Sequence, residues 1–124
     1  MRRARGFTLV ELLVVFAIVA TLLSIVAPRF LHQTDRAKEA ALKEDLSGLR
    51  IAIDKYYADK GQYPERLDQL VQERYLRRLP VDPITGVSAS WQLVTMEEQG
   101  RTVVYDVKSG APGSGIDGTA YQSW

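Results

Sequence analysis

The sequence of 124 residues contains no cysteine and only one histidine, His32. The first absence excludes disulfides and thiolate metal sites. It also removes a cysteine nucleophile, and with one histidine no serine has a case for a catalytic triad. His32 follows an apolar run and stands beside Gln33, as a solvated or headgroup-contacting residue would. The glycines around Gly110 lack the following Lys-Ser/Thr and helix of a phosphate loop. An excess of charge of one sign is missing too. There are 16 basic and 15 acidic residues, and Arg2, Arg3 and Arg5 all lie at the N-terminus. Without those three, 13 basic residues face 15 acidic ones, a balance of −2. The chain therefore has no general basic character suited to nucleic acid. Neither an enzyme nor a nucleic-acid binder is expected.

What the chain does have is one long apolar run. From Phe7 to Ala27 the only charge is Glu11, and Pro28 and Arg29 close the stretch. A helix of this length rises about 30 Å, enough to cross the hydrocarbon core of a bilayer. The arginines in front of it place the N-terminus on the cytoplasmic side and the remainder outside. Glu11 is costly in such a span and calls for a partner. The backbone offers no free donor in mid-helix, because each N–H is bonded within the helix. A cation or N–H donor from a neighbouring subunit would serve, and a free amino terminus at residue 7, made by cutting after Gly6, is one such donor. On this reading Glu11 is an assembly residue.

Beyond Phe30 the pattern becomes amphipathic. Leu42, Leu46, Leu49, Ile53 and Tyr56 recur at helical spacing, which predicts one buried stripe. Lys43, Glu44, Asp45, Arg50, Asp54 and Lys55 fall between them, on faces expected to be solvated. Gly61 is a C-terminal stop with Pro64 close behind. If Pro28 only kinks the helix, a single helix runs from Phe7 to about Lys60; Pro28 is equally a point where it can melt. A second helix is expected over 65–72, with Leu67, Leu70 and Val71 on its apolar side. Leu79 to Gly86 holds two prolines and a glycine and reads as an ordered loop. Trp91–Met96 and Thr102–Val107 predict a hairpin with a five-residue connection, Glu97–Arg101, packed on the helical stripe. Ser109 to Gly118 is glycine-rich and disordered unless tied down, for which Tyr121 and Trp124 are candidates. Arg74, Arg77 and Arg78 form a basic spot, either a solvated face or a contact with acidic groups of another subunit.

The stretch Gly6-Phe7-Thr8-Leu9-Val10-Glu11-Leu12, behind its basic leader, resembles the class III signal of type IV pilins and type II secretion pseudopilins. An ordinary secretory signal fits worse, because its cleavage site follows the apolar region. The resemblance implies cleavage between Gly6 and Phe7 by a prepilin peptidase, N-methylation at Phe7, and registration of subunits in a helical filament by Glu11 with Phe7. Gly61-Gln62-Tyr63-Pro64, Leu79-Pro80-Val81-Asp82-Pro83, and Tyr105-Asp106-Val107 before the glycine-rich loop are similar to the major pseudopilin pattern. The lack of cysteine leans the same way, since many type IV pilins carry a disulfide near the C-terminus.

That resemblance implies an α+β, type IV pilin-like fold. It divides into a leader (1–6), a transmembrane and filament-core helix (7–28) and a soluble head (29–124). The head comprises an amphipathic helix (30–60), a short helix (65–72), a small antiparallel sheet (91–107) and a C-terminal loop (108–124). The implied job is that of a structural subunit of a type II secretion pseudopilus, held in a bacterial inner membrane with its head in the periplasm. The implied partners are further copies of itself, the prepilin peptidase, an inner-membrane assembly platform with its ATPase, minor pseudopilins and the membrane. Two other readings stay open: a type IV pilin of a surface pilus, and an anchored binding domain that never polymerises.

Major pseudopilins bind calcium in the terminal loop. Asp117 lies where one acidic ligand of the family falls, and Ser109 and Ser114 offer oxygens. Where relatives have a second aspartate, this chain reads Gly110-Ala111-Pro112-Gly113. The competing reading is a loop ordered by Pro112, Tyr121 and Trp124 without metal.

Overall fold

The computed structural model describes residues 4–124, so Arg2 and Arg3 of the leader lie outside the described residues. The order of elements is α1 (Leu9–Lys60), α2 (Asp68–Gln72), β1 (Gln92–Glu98), β2 (Arg101–Lys108) and a 3-10 turn, Tyr121–Ser123. This is the expected α+β architecture, with a two-stranded antiparallel sheet. The chain divides into a unit ending at Asp35 and a second from Arg36 to Trp124.

In the first unit, α1 begins two residues later than the apolar run predicts. Residues 4 to 8 are non-helical, and Thr8 caps the helix. The side chains from Phe7 to Ala27 are exposed around the whole circumference. The most apolar 18-residue window has a mean hydropathy of 2.8, so α1 is long and apolar enough to cross a membrane. Helical structure continues through Pro28. The ring carries no N–H, so the carbonyl of Ser24 lacks its usual helical donor. Nearby hydroxyls turn back onto the helix: Thr21 Oγ1 donates to the Ala17 carbonyl and Ser24 Oγ to that of Thr21, each at 2.7 Å.

In the second unit the predicted stripe forms the core. Leu42, Leu46, Leu49, Ala52, Ile53 and Tyr56 are all buried on one side of α1. They pack with Leu67, Leu70, Trp91, Val104 and Val107. Burying each large aliphatic side chain contributes about 1.5–3 kcal/mol relative to leaving it in water. Gly61 ends the helix as expected, with φ 72° and its N–H on the Tyr57 carbonyl at 2.8 Å. Past this cap, Tyr63 stacks on Tyr57 at 4.4 Å.

Two element boundaries differ from expectation. α2 spans only Asp68–Gln72, not 65–72. Pro64 is buried and its carbonyl accepts the Val104 N–H at 2.7 Å, while Glu65 donates its N–H to Gln69 Oε1 at 2.8 Å. Those tertiary and side-chain bonds hold 63–67 out of the helix. The hairpin connection has two residues, not five. Glu98 pairs with Arg101, and Gln99 and Gly100 take φ of 51° and 77°, both left-handed. Such a turn matches the twist of the strands it joins. The register slips between Val94 and Thr95, leaving Tyr105 unpaired in β2, so that Val103, Val104 and Val107 all face inward.

Candidate functional site

In the first unit the stretch expected to carry function is Gly6 to Glu11. Gly6 and Phe7 lie in non-helical chain ahead of α1, and Phe7 is 84% exposed. Thr8 and Glu11 then form a reciprocal cap. The Glu11 N–H donates to Thr8 Oγ1 (3.2 Å), and the Thr8 N–H donates to Glu11 Oε2 (3.3 Å). This Thr-x-x-Glu arrangement satisfies two of the free donors at a helix start. It corrects the expectation that the backbone has no donor for Glu11. The residue sits in the first turn, where N–H groups are free, and not in mid-helix. With Gly6 still attached, Glu11 therefore has a partner within its own chain.

In the second unit, Ser109 is fully buried and donates its hydroxyl to Asp82 Oδ2 at 2.7 Å, while its oxygen accepts the Ala111 N–H at 3.1 Å. Asp82 Oδ1 accepts the N–H groups of Ile84 (2.8 Å) and Thr85 (3.3 Å). Asp82 is thus a buried knot joining the proline loop to the end of β2. Close by, Trp91 Nε1 donates to the Pro80 carbonyl at 2.8 Å.

The charge of Asp82 is felt on α1. Loss of hydration, then the charges of Asp82 and Glu44, push the Asp45 carboxyl above its ordinary range. A raised folded-state pKa means the folded chain holds that proton more tightly than the unfolded one. The contribution is present below the unfolded value and lost as pH rises through the folded value. Asp45→Asn is therefore expected to raise the melting temperature at pH 7, with a smaller gain near pH 4. Thermal scans at the two values check this.

Asp117 is exposed and lies in a tight turn. Its Oδ1 accepts the hydroxyl (2.7 Å) and the N–H (3.0 Å) of Thr119. Those two bonds, followed by the nearby Lys43, hold its carboxyl below the ordinary carboxylate range. Ser114 pairs through its backbone with Ala120. The three expected calcium donors thus do not form one set: Ser109 is occupied on Asp82, and Asp117 is engaged by Thr119. Among the described residues no three carboxylates or imidazoles gather into a metal-holding group. The donor set does not fit a calcium ion, which wants six to eight oxygens.

Two residues expected on solvated faces have specific roles. Arg50 Nε donates to Asp106 Oδ1 at 2.8 Å, and its Nη2 donates to the main-chain oxygens of Val107 (2.9 Å) and Trp124 (3.0 Å). Lys43 Nζ stands 4.6 Å from the centre of the Trp124 ring. Glu39, not singled out from sequence, accepts the Ile116 N–H at 2.7 Å and the Tyr121 hydroxyl at 3.0 Å. The one hint was spacing: residues 39, 43 and 50 share a helix face. The basic spot of Arg74, Arg77 and Arg78 is exposed. None of the three is in the ion pairs found among the described residues: Arg50–Asp106, Lys60–Glu73 and Arg101–Glu65. His32 is exposed on α1.

Residues 1–27 match the family described as Prokaryotic N-terminal methylation motif. Full-length relatives carry the name type II secretion system core protein G. The one from Klebsiella michiganensis is 33% identical, over 91% of this chain and 89% of its own length. That from Klebsiella pneumoniae is 31% identical over 94% of each chain. The Escherichia coli K12 protein is 32% identical over 89% of this chain and 83% of its own. No solved structure gives a significant match. The methylation motif at the start of a helix that is apolar but for Glu11 as far as Ala27, joined to a small α+β head and to this likeness along nearly the whole length, shows that the chain belongs to the type II secretion system core protein G family, the major pseudopilins.

Proposed function

We propose that the chain is made as a precursor in the bacterial inner membrane, with its N-terminus cytoplasmic and its head periplasmic. A prepilin peptidase cuts between Gly6 and Phe7, and the new amino group of Phe7 is methylated. An assembly platform then draws the subunit out of the bilayer into a periplasmic filament of identical copies, capped or primed by minor pseudopilins, which pushes exported proteins outward. The observation that carries this reading is the conformation at the start of α1. The Gly6–Phe7 bond lies in exposed, non-helical chain immediately ahead of the Thr8 cap, so a peptidase reaches it without unwinding helix.

Hydrolysis adds water across that amide. The leader leaves with the Gly6 carboxylate, and Phe7 gains an ammonium group. An ammonium so placed, on one subunit, would give the Glu11 carboxylate of the next a cationic partner once both leave water, beside the neutral Thr8 N–H of its own chain. The apolar surface from Phe7 to Ala27 is equally suited to lipid and to neighbouring helices. Extraction therefore exchanges one apolar environment for another and does not expose the helix to water.

The test is the intact mass of the protein recovered from membranes and from sheared surface material of its native cells. The expected mass lacks residues 1–6 and carries one added methyl group. A full-length, unmethylated mass in cells with active prepilin peptidase would overturn the reading. Abundance in the sheared fraction would assign the subunit to a long surface pilus instead of a short periplasmic fibre.

A further inference from the structure

We propose that the terminal loop of the head is closed by a side-chain clasp from one face of α1 (Glu39, Lys43 and Arg50), and that this clasp takes the place of a divalent cation. The proposal concerns the head alone and holds whether or not the heads coat a filament. It begins with composition: from Ser109 to Trp124 the only acidic residue is Asp117. A hard cation such as calcium needs several oxygens without competing donors, and a loop with one carboxylate supplies little charge. Here even that carboxylate is engaged by Thr119, and Lys43 brings a positive charge toward it. The Thr119 donors that favour the ionised carboxyl occupy its Oδ1, and the Lys43 charge opposes a second cation beside it.

The loop is nevertheless held in place by protein groups. Within the loop, Gly115 donates its N–H to the Thr119 carbonyl at 2.8 Å, and Trp124 Nε1 donates to Thr119 Oγ1 at 2.6 Å. Tyr121 and Trp124 meet edge to face at 5.1 Å. From α1, Glu39 receives two hydrogen bonds, one from the backbone at Ile116 and one from the Tyr121 hydroxyl. Lys43 covers the Trp124 ring, and Arg50 ties the main chain at Trp124 to that at Val107. A carboxylate that gathers donors and cations that gather carbonyls and a ring do the bridging work of an ion, with the charges carried on the helix. Gly115 makes the approach feasible, because a Cβ there would lie 2.5 Å from Trp124 Cζ2 and 3.0 Å from Glu39 Oε1.

The experiment uses the full chain in detergent micelles. Its melting temperature is measured with excess calcium chloride and with EDTA, and broad-specificity proteolysis between Ala111 and Ala120 is followed by mass. The same measurements are made on Glu39→Ala and Glu39→Gln. The expected result is one melting temperature in calcium and EDTA. Glu39→Ala should melt several degrees lower and be cut faster in the loop, whether or not calcium is added. Glu39→Gln, which keeps an acceptor oxygen, should recover most of the protection. A calcium-dependent rise of several degrees in the parent chain, the mark of an ion bound to the folded state alone, would overturn the proposal. So would calcium-restored protection of Glu39→Ala, or a loop cut no faster in Glu39→Ala than in the parent. None of these readings depends on assembly, so a failed filament assay leaves the clasp untouched.

Discussion

Asp82→Ala is expected to cost the head about 2–4 kcal/mol, because it leaves hydrogen-bonding groups without their acceptor. The substitution strands the buried Ser109 hydroxyl and takes the acceptor from the part-buried N–H groups of Ile84 and Thr85. Native domains are stable by about 5–15 kcal/mol, so this one change removes a large part of the margin. It should also loosen the chain on both sides, because the Asp82–Ser109 bond joins segments 27 residues apart. Asp82→Asn keeps the acceptor for Ile84 and Thr85, and the Ser109 hydroxyl can rotate to accept from the new amide; a loss of about 1–2 kcal/mol is expected. Denaturant titration of the three chains in micelles measures both. An alanine variant within 1 kcal/mol of the parent, the ordinary net value of a single neutral hydrogen bond, would show that the knot contributes no more than that.

Glu11→Ala is expected to have the opposite profile: a head of unchanged stability, and filaments reduced about tenfold or more. Among the described residues its side chain hydrogen-bonds to Thr8, so its removal costs a helix cap, about 0.5–2 kcal/mol of local stability, and takes a carboxylate out of the apolar run. On the proposed mode of assembly, what disappears is the pairing with the Phe7 ammonium of another subunit in apolar surroundings. A loss of only 1.4 kcal/mol per contact already changes an association constant tenfold. The chain has no cysteine, so a pair introduced on the exposed surface of α1 would report filament contacts by disulfide formation without background. Undiminished cross-linking in Glu11→Ala would remove Glu11 from assembly.

The parts of the fold legible in sequence are those governed by short-range periodicity. Leu42 to Tyr56 could be read because a helix buries every third or fourth residue, and Gly61 because a left-handed cap favours glycine. The hairpin was legible as two β-rich runs. Its turn was not, because Gln99 is an unusual residue for a positive φ, and the charged residues around it resemble a longer loop. The start of α2 escaped for another reason: Pro64 is suited to a first helical turn, yet its carbonyl is drawn to β2. The contacts of the site were hardest to read. Ser109 looked like a loop oxygen free for an ion until Asp82, far away in sequence, took its hydroxyl. Arg50 looked like a solvent-facing helix residue and Glu39 was not singled out, because among their partners are main-chain groups 57 and 77 positions further on. Backbone acceptors and donors are the same at every residue, so no pattern of side chains marks which of them a distant arginine or glutamate will meet.

Pro28 gives α1 a mechanical property. A helix hauled lengthwise bears the load on its ladder of hydrogen bonds, and at Ser24 one rung is missing. Strain would therefore collect over the neighbouring turn before the intact turns on either side give way. Each residue that passes there from helical to extended form adds about 1.8 Å of length, so five of them release about 9 Å. The rod is then a strut with an extensible link whose working length responds to the pull on it. If the chain assembles as proposed, that link would let a subunit take up small mismatches along its length.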